Sequence, residues 1–351
     1  MRLGAAAFVA LAIAVARSGA IVEDEASLLS LRRFARDPRP YELVEGACLV
    51  GIVTPNEYER SKLKVERLSG SQFGGYYFER GLLAGRPVVI VVCGLGPINS
   101  AAATTLLLQE FRPQWIVQYG IAGSADDALT FADVVVPRRW ANVDLFVWTR
   151  AGWNASTDAL PLEGVDYSKK PPAENFEFPY YDSDPVTGTY YVQEAQIMRE
   201  TANDPAGLSR ELFLAVDNCS LALAEQAAGD AALHACLPNG SNPAGNETCL
   251  RQKPRVVMGD GAGVGASGSQ FVDNKAWRVW LHETYNVSVV EMESGAFAQV
   301  AATFGVPFVS VRAVSDMAGG SASQSEADIF IDLAATNAAI MVEAMLRRWH
   351  C

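Results

Sequence analysis

The stretch VVEMESGAFAQVAATFGVPFVSVRAVSD, from Val289 to Asp316, holds two short apolar runs joined by a segment of small residues with helical character. Each run ends in acid. Glu291 and Glu293 close the first, and Asp316 closes the second four residues after Arg312. Short runs rich in Val read as buried strands, and strand–helix–strand is the repeating unit of a mainly parallel sheet. In open sheets of that kind ligand crevices form at the carboxyl ends of strands, where these acids stand.

Outward from this stretch the same pattern recurs. CLVGIVT (48–54), PVVIVVC (87–93), WIVQY (115–119), DVVVP (133–137) and RVVMG (255–259) read as further buried strands. GPINSAAATTLLLQEF (96–111) reads as a helix, as does the closing SEADIFIDLAATNAAIMVEAMLRRWH, with acids early and Arg347 and Arg348 late, as the helix dipole favours. The expectation is an α/β fold with a mixed, mainly parallel central sheet flanked by helices on both faces. One domain covers 46–351, and a Pro-, Asn- and aromatic-rich stretch at about 140–252 reads as a long insertion, because the pattern before it resumes after it.

Composition bounds the partners. With 351 residues, half of them hydrophobic, the chain has ample material for a sizeable core. A formal net charge of -12 leaves no basic stripe to track a phosphate backbone, so a nucleic-acid partner is not expected, while a small, weakly charged molecule is. Residues 1–20 place Arg2 before an apolar run from Leu3 to Ala16 and small residues at Ser18–Ala20, the layout of a secretory signal peptide. That run is too short to span a bilayer, so no membrane partner is expected either. A polar segment, 21–45, follows.

A secretory route, extracellular or vacuolar, makes sense of other features. N-x-[ST] triplets start at Asn154, Asn218, Asn239, Asn246 and Asn286 and are candidate glycosylation sites. Cys236 and Cys249 bracket a Pro/Gly/Asn-rich loop that a disulfide would tie at its base, whereas Cys48 and Cys93, inside apolar runs, read as buried thiols.

An acid at a strand mouth is partly desolvated, which suits it to donating a proton near neutral pH; Asp316 is placed for that, unless it pairs with Arg312 or caps a helix. Glu291 and Glu293, two apart on an extended segment, face the same way, and a carboxylate can grip adjacent hydroxyls. One of the two is expected instead to satisfy amides at the start of the following helix. Glu57 and Glu59, in TPNEYERSKL, read on their own as a solvated turn.

Five segments, GLGPINSAAA, QYGIAGSADDALTFADVVVP, SGSQFVDN, VVEMESGAFAQVAATFGVPF and VRAVSD, stand in the order found in the nucleoside phosphorylase/nucleosidase superfamily. Over roughly 46–345 the chain resembles that family, and within it the plant branch that includes bark storage proteins. The resemblance implies cleavage of the N-glycosidic bond of purine-type nucleosides, adenosine-like, methylthio or cytokinin ribosides, without a cofactor or metal. It implies Asp316 as general acid toward the base and Glu59 as base for water. Glu293 would hold the ribose hydroxyls with Met292 against the sugar, Phe271 would stack on the base, and Ala122 and Gly123 would line the site, with Val272, Ser315 and Arg312 around them. A homo-oligomer, dimeric or trimer-based, is implied too.

The chain departs from the phosphorylases of that superfamily in lacking Arg in TPNEYE and before the glycines of VQYGIAG. That favours water over phosphate as nucleophile, unless Arg60, Arg86 or Arg138 supplies the charge by another route. SGSQF also lacks the acid common after the Gly in bacterial nucleosidases. A phosphorylase using phosphate as co-substrate, and a storage glycoprotein on an enzyme scaffold, are the alternatives.

Overall fold

The computed structural model describes residues 48–150, 157, 164–169, 188–198, 207–237, 249–319 and 325–350. The signal-peptide and polar-segment expectations, and Asn154, Asn239 and Asn246, lie outside these residues. So do residues 320–324 of the Gly/Ser stretch after Asp316.

Strand β1 (Val50–Thr54) leads into a four-residue helix, α1 (Glu57–Arg60). The hairpin β2 (Glu66–Phe73) and β3 (Tyr76–Leu83) follows, then β4 (Arg86–Val92), α2 (Pro97–Phe111) and β5 (Trp115–Ser124). Next come β6 (Val134–Val135), β7 (Arg139–Asn142), β8 (Phe146–Arg150), β9 (Gly188–Val192), β10 (Ala195–Met198), β11 (Leu208–Glu211), β12 (Leu214–Ala215) and α3 (Asn218–Ala228). The chain closes with β13 (Val256–Val257), β14 (Val264–Ser267), α4 (Lys275–Tyr285), β15 (Val287–Glu291), α5 (Ser294–Phe304), β16 (Phe308–Asp316) and α6 (Ser325–Arg348).

The central sheet runs β12-β7-β14-β15-β5-β1-β4-β3-β2, with β16 branching from the long β5, β6 pairing with β16 and β13 with β6. Parallel pairing joins β4, β1, β5 and β16 in its middle; the β2–β3 hairpin adds an antiparallel edge. The mixed, mainly parallel sheet expected from the sequence is the one formed. The middle strands are apolar on both faces because both faces are covered. On one side α2 and α5 pack together against β1, β4 and β7, and on the other α6, with α3, packs on β16 and β5.

Within the stretch read as an insertion, β7 and β12 extend the central sheet and α3 packs on α6. The β8–β9 and β10–β11 ladders stand apart as two-stranded sheets. Cys236 and Cys249 form a disulfide, while Cys93 is a buried free thiol and Cys219 an exposed one. Cys48, expected as a buried thiol, is instead disulfide-bonded, with its partner outside the described residues. It precedes β1 and is only half-buried, so the apolar run beside it does not enclose it.

Candidate active site

The carboxyl ends of β1, β5, β15 and β16 open into one cleft of about 210 Å³. Asp316, Glu59, Glu293, Met292, Phe271, Val272, Ala122, Gly123, Ser315 and Arg312, all singled out in the sequence, line it together. Pro55, Asn56, Leu95, Ile121, Gln270, Val290 and Glu291 complete its wall. Its lining, mostly apolar with a few convergent polar groups, suits a small organic molecule. Leu95 and Phe271 are the outermost, 60% and 71% exposed.

Glu59 is brought into the cleft by α1. Asn56 caps this helix, its Oδ1 accepting the Glu59 amide at 2.9 Å, and the Tyr119 hydroxyl donates to the Glu59 carbonyl at 2.6 Å. The carboxylate is buried over β5, where Oε1 accepts the Ile121 amide at 2.9 Å. Its Oε2 is buried without a hydrogen-bond partner among the described residues. Burial pushes the Glu59 carboxyl up to about 7, against the lowering influence of Arg312 and the two backbone amides. An acid that ionises there can serve as a base near neutral pH.

The glycines of YGIAG make room for these acids. A Cβ on Gly120 would stand 2.5 Å from Glu59 Oε1 and 2.6 Å from an Arg312 guanidinium nitrogen. A Cβ on Gly123 would stand 2.9 Å from Asp316 Oδ1. Glu59 and Asp316 therefore both stand close against β5, one beside Gly120 and the other beside Gly123.

Glu291 and Glu293 divide as the sequence led one to expect of one of them. Glu291 accepts the Glu293 amide at 2.9 Å and the Ser294 amide at 3.0 Å, together with the Ser267 hydroxyl, so it satisfies the exposed amides that open α5. Glu293 turns into the cleft, where its Oε1 accepts the Gly96 amide at 2.8 Å at the N-terminus of α2. Burial first, then the charge of Glu291, lift Glu293 to about 7.

Arg312 sits beneath all three glutamates, 1% exposed. It pairs with Glu291 and lies 3.4 Å from Glu293 Oε2; it also donates to the Ser294 hydroxyl at 2.9 Å and the Ile121 carbonyl at 3.2 Å. Every guanidinium nitrogen is engaged. Asp316 is not its partner: Oδ2 accepts the Ser315 hydroxyl at 2.8 Å and Oδ1 the Ala318 amide at 2.9 Å.

The arginines considered as other sources of charge are committed elsewhere. Arg60 pairs with Glu79, Arg86 reaches the Leu346 carbonyl and His350, and Arg138 pairs with Asp260. None of them lines the cleft. Among the described residues no group of three or more His, Cys, Asp or Glu is arranged to hold a metal ion.

Sequence reasoning missed the two backbone donors, Ile121 N and Gly96 N, because a main-chain amide leaves no mark in residue identity. Leu95 and Ile121 were available signals, since both stand inside the quoted GLGP and YGIAG segments.

Residues 49–347 match the family described as the phosphorylase superfamily. The chain is 27% identical over 302 residues to the 5'-methylthioadenosine/S-adenosylhomocysteine nucleosidase of Staphylococcus aureus, covering 85% of this chain and 99% of the relative. Its fold is similar to the futalosine hydrolase of Helicobacter pylori, with TM-score 0.56, 20% identity, and 86% and 98% of the two chains covered. It is also similar to the Neisseria meningitidis 5'-methylthioadenosine/S-adenosylhomocysteine nucleosidase in complex with methylthio-immucillin-A, with TM-score 0.55, 21% identity, and 86% and 100% covered.

Proposed function

The chain belongs to the phosphorylase superfamily, and from that premise we propose that it is a nucleosidase: it hydrolyses the N-glycosidic bond of purine nucleosides, adenosine-like ones first, to base and free ribose. Asp316 is the general acid that protonates the leaving base, Glu59 the base that takes a proton from water, and Glu293 the group that holds the ribose hydroxyls. Met292 packs against the sugar and Phe271 over the base. Methylthio and cytokinin ribosides fall in the same class, since the outer wall, with Leu95 and Phe271, is apolar.

In such a reaction the glycosidic bond stretches toward an oxocarbenium-like sugar, the base leaves as it accepts a proton, and water attacks from the opposite face. Acid and base on either side of the sugar meet that need. Water is neutral until Glu59 takes its proton, so hydrolysis needs no cation at the attacking side.

The observation that carries hydrolysis over phosphorolysis is the commitment of Arg312. A phosphorylase must hold a multiply charged anion against the sugar, close here to Glu59 and Glu293, and that requires a free guanidinium or ammonium. Arg312 has its donors engaged by Glu291, Glu293, Ser294 and Ile121. A nucleoside panel incubated with and without phosphate tests the reading by the identity of the sugar product. Free ribose, formed equally in both, is expected. Ribose 1-phosphate would establish phosphorolysis, and no cleavage of any nucleoside would favour a storage role.

The secretory location belongs to the same proposal. Two disulfide-bonded sites, at Cys48 and at Cys236–Cys249, suit an oxidising compartment, and Asn218 and Asn286 are exposed where a glycan would have to sit.

A further inference from the structure

Helix α1 is a single turn, too short to be stable on its own, yet it sets the position of Glu59. What holds it lies outside the cleft. The Tyr58 hydroxyl donates to Asp332 Oδ1 at 2.6 Å, and Lys62, one turn on, donates to the same oxygen. The Lys62 ammonium also lies over the Tyr58 ring, 4.4 Å from its centroid. Just beyond, the Lys64 amide donates to Glu343 Oε1 at 3.3 Å. Asp332 and Glu343 both stand on α6, which is seated along β16 and β5, the strands that carry Asp316 and the glycines under the acids. Helix α6 is therefore a common reference for the two reacting carboxyls.

We propose that Asp332 is a positioning residue: by tying Tyr58 and Lys62 to α6, it fixes the place of Glu59 relative to Asp316. The proposal rests on the reading of Glu59 as the base for water. It adds a residue that touches neither substrate nor water. The interaction is well built for the role, since two donors converge on one oxygen of a carboxylate that is 29% exposed, while Lys62 is 19% exposed. Burial alone would lift the Asp332 carboxyl, but the hydrogen bonds from Lys62 and Tyr58 hold it below the ordinary range. It stays ionised at the pH at which Glu59 works. Arg60, at the end of α1, pairs with Glu79 on β3 and gives the helix a second tie.

The test uses the full-length protein. Asp332→Ala is expected to lower kcat on the order of 10²-fold, as a displacement of about 1 Å can, with KM changed less than about threefold, because Glu293 and Asp316 remain. Combining Asp332→Ala with Tyr58→Phe should cost little more than the single change, since both break one contact. A purely structural role would lower thermal stability and activity together without moving the ionisation of Glu59. A second measurement therefore follows the Glu59 carboxyl by carbon NMR without substrate. In the parent it should titrate near 7, and in Asp332→Ala more than one pH unit lower, as α1 swings out and water reaches it. An unmoved titration, or full kcat in Asp332→Ala, overturns the proposal. If the parent cleaves no nucleoside the reading of the function fails, and the titration still decides whether Asp332 places Glu59.

Discussion

The mouths of β15 and β16 both carry acid, yet they are built in opposite ways. At β15, Glu291 and Glu293 share the buried Arg312, and Glu291 is further occupied by the amides that open α5. At β16, Asp316 has, among the described residues, a neighbouring hydroxyl and one amide. The first mouth is thus built around a buried cation and the second around neutral donors. The two mouths of one cleft thus differ in how their acids are paired. Glu59, delivered from a third segment, has among the described residues no cation within a direct hydrogen bond and keeps one oxygen unpartnered.

The largest expected effect tests the first mouth. Arg312→Met leaves Glu291 and Glu293 buried without their cation, and breaking a buried pair in this way costs about 3–5 kcal/mol. Urea unfolding should show that loss. Arg312→Lys should recover only part of it, because one ammonium cannot reproduce the fork that reaches Glu291, Ser294 and the Ile121 carbonyl. A variant within about 1 kcal/mol of the parent, the size of an ordinary surface contact, would show that the cation does not hold this mouth together.

Asp316→Asn tests the second mouth and should behave in the reverse manner. Stability is expected to hold, since Asn keeps the acceptor for Ala318, while kcat falls about 10²–10⁴-fold with loss of the proton donor. Binding of a purine nucleoside should survive. Turnover within a few-fold of the parent would remove Asp316 from the chemistry and erase the distinction between the mouths.

The third test concerns Glu59. Its carboxyl is raised from the ordinary range to about 7, so the fold prefers the protonated form; that preference is fully felt below the ordinary pKa and is lost as pH rises through about 7. The parent should therefore weaken between roughly pH 4.5 and 7 relative to Glu59→Gln, by up to about 3 kcal/mol. Paired unfolding curves at pH 4.5 and 8 measure it: the gap should open only at the higher pH. Turnover should move the other way. The parent's kcat/KM should fall as pH drops below about 7, and Glu59→Gln should be nearly inactive. Equal stabilities at pH 8 would show that the buried carboxylate carries no such penalty.

How far the sequence reveals all this depends on the kind of information needed. The strands carrying Asp316 and Glu291 are legible because burial on both faces demands unbroken apolar runs, and an acid ending such a run breaks the pattern visibly. The roles of Glu291 and Glu293 are not, since both follow the same strand, and only the turn into α5 decides which one meets its amides. Burial of Glu59 is also invisible locally. PNEYERS reads as a solvated turn, and what encloses Glu59 is Ile121, Tyr119 and Arg312, sixty to two hundred and fifty residues away. Family resemblance located Glu59 where local pattern could not. The β2–β3 hairpin escaped notice for a simpler reason: most of its residues are half-exposed, so it lacks the apolar run that marks the middle strands.

The smallest expected effect lies at neither mouth and asks whether the contrast is one of charge or of general rigidity. Asn56 caps α1 by accepting the Glu59 amide, and loss of such a cap costs about 1 kcal/mol. Asn56→Ala should therefore destabilise the protein only slightly. Because the amide it releases belongs to Glu59 itself, the carboxylate should lose some of its aim, and kcat should drop about tenfold or less, well short of the loss from Asp316→Asn. Asn56→Ser restores an acceptor of the same kind and should recover most of that activity. Asn56 also lines the cleft, so the recovery by Ser is the informative arm: it separates capping from contact with a ligand. If Asn56→Ala cost as much turnover as Asp316→Asn while Asn56→Ser restored it, placement of α1 would limit the reaction more than the proton donor does, and the division of labour between the two strand mouths would have to be redrawn around the helix.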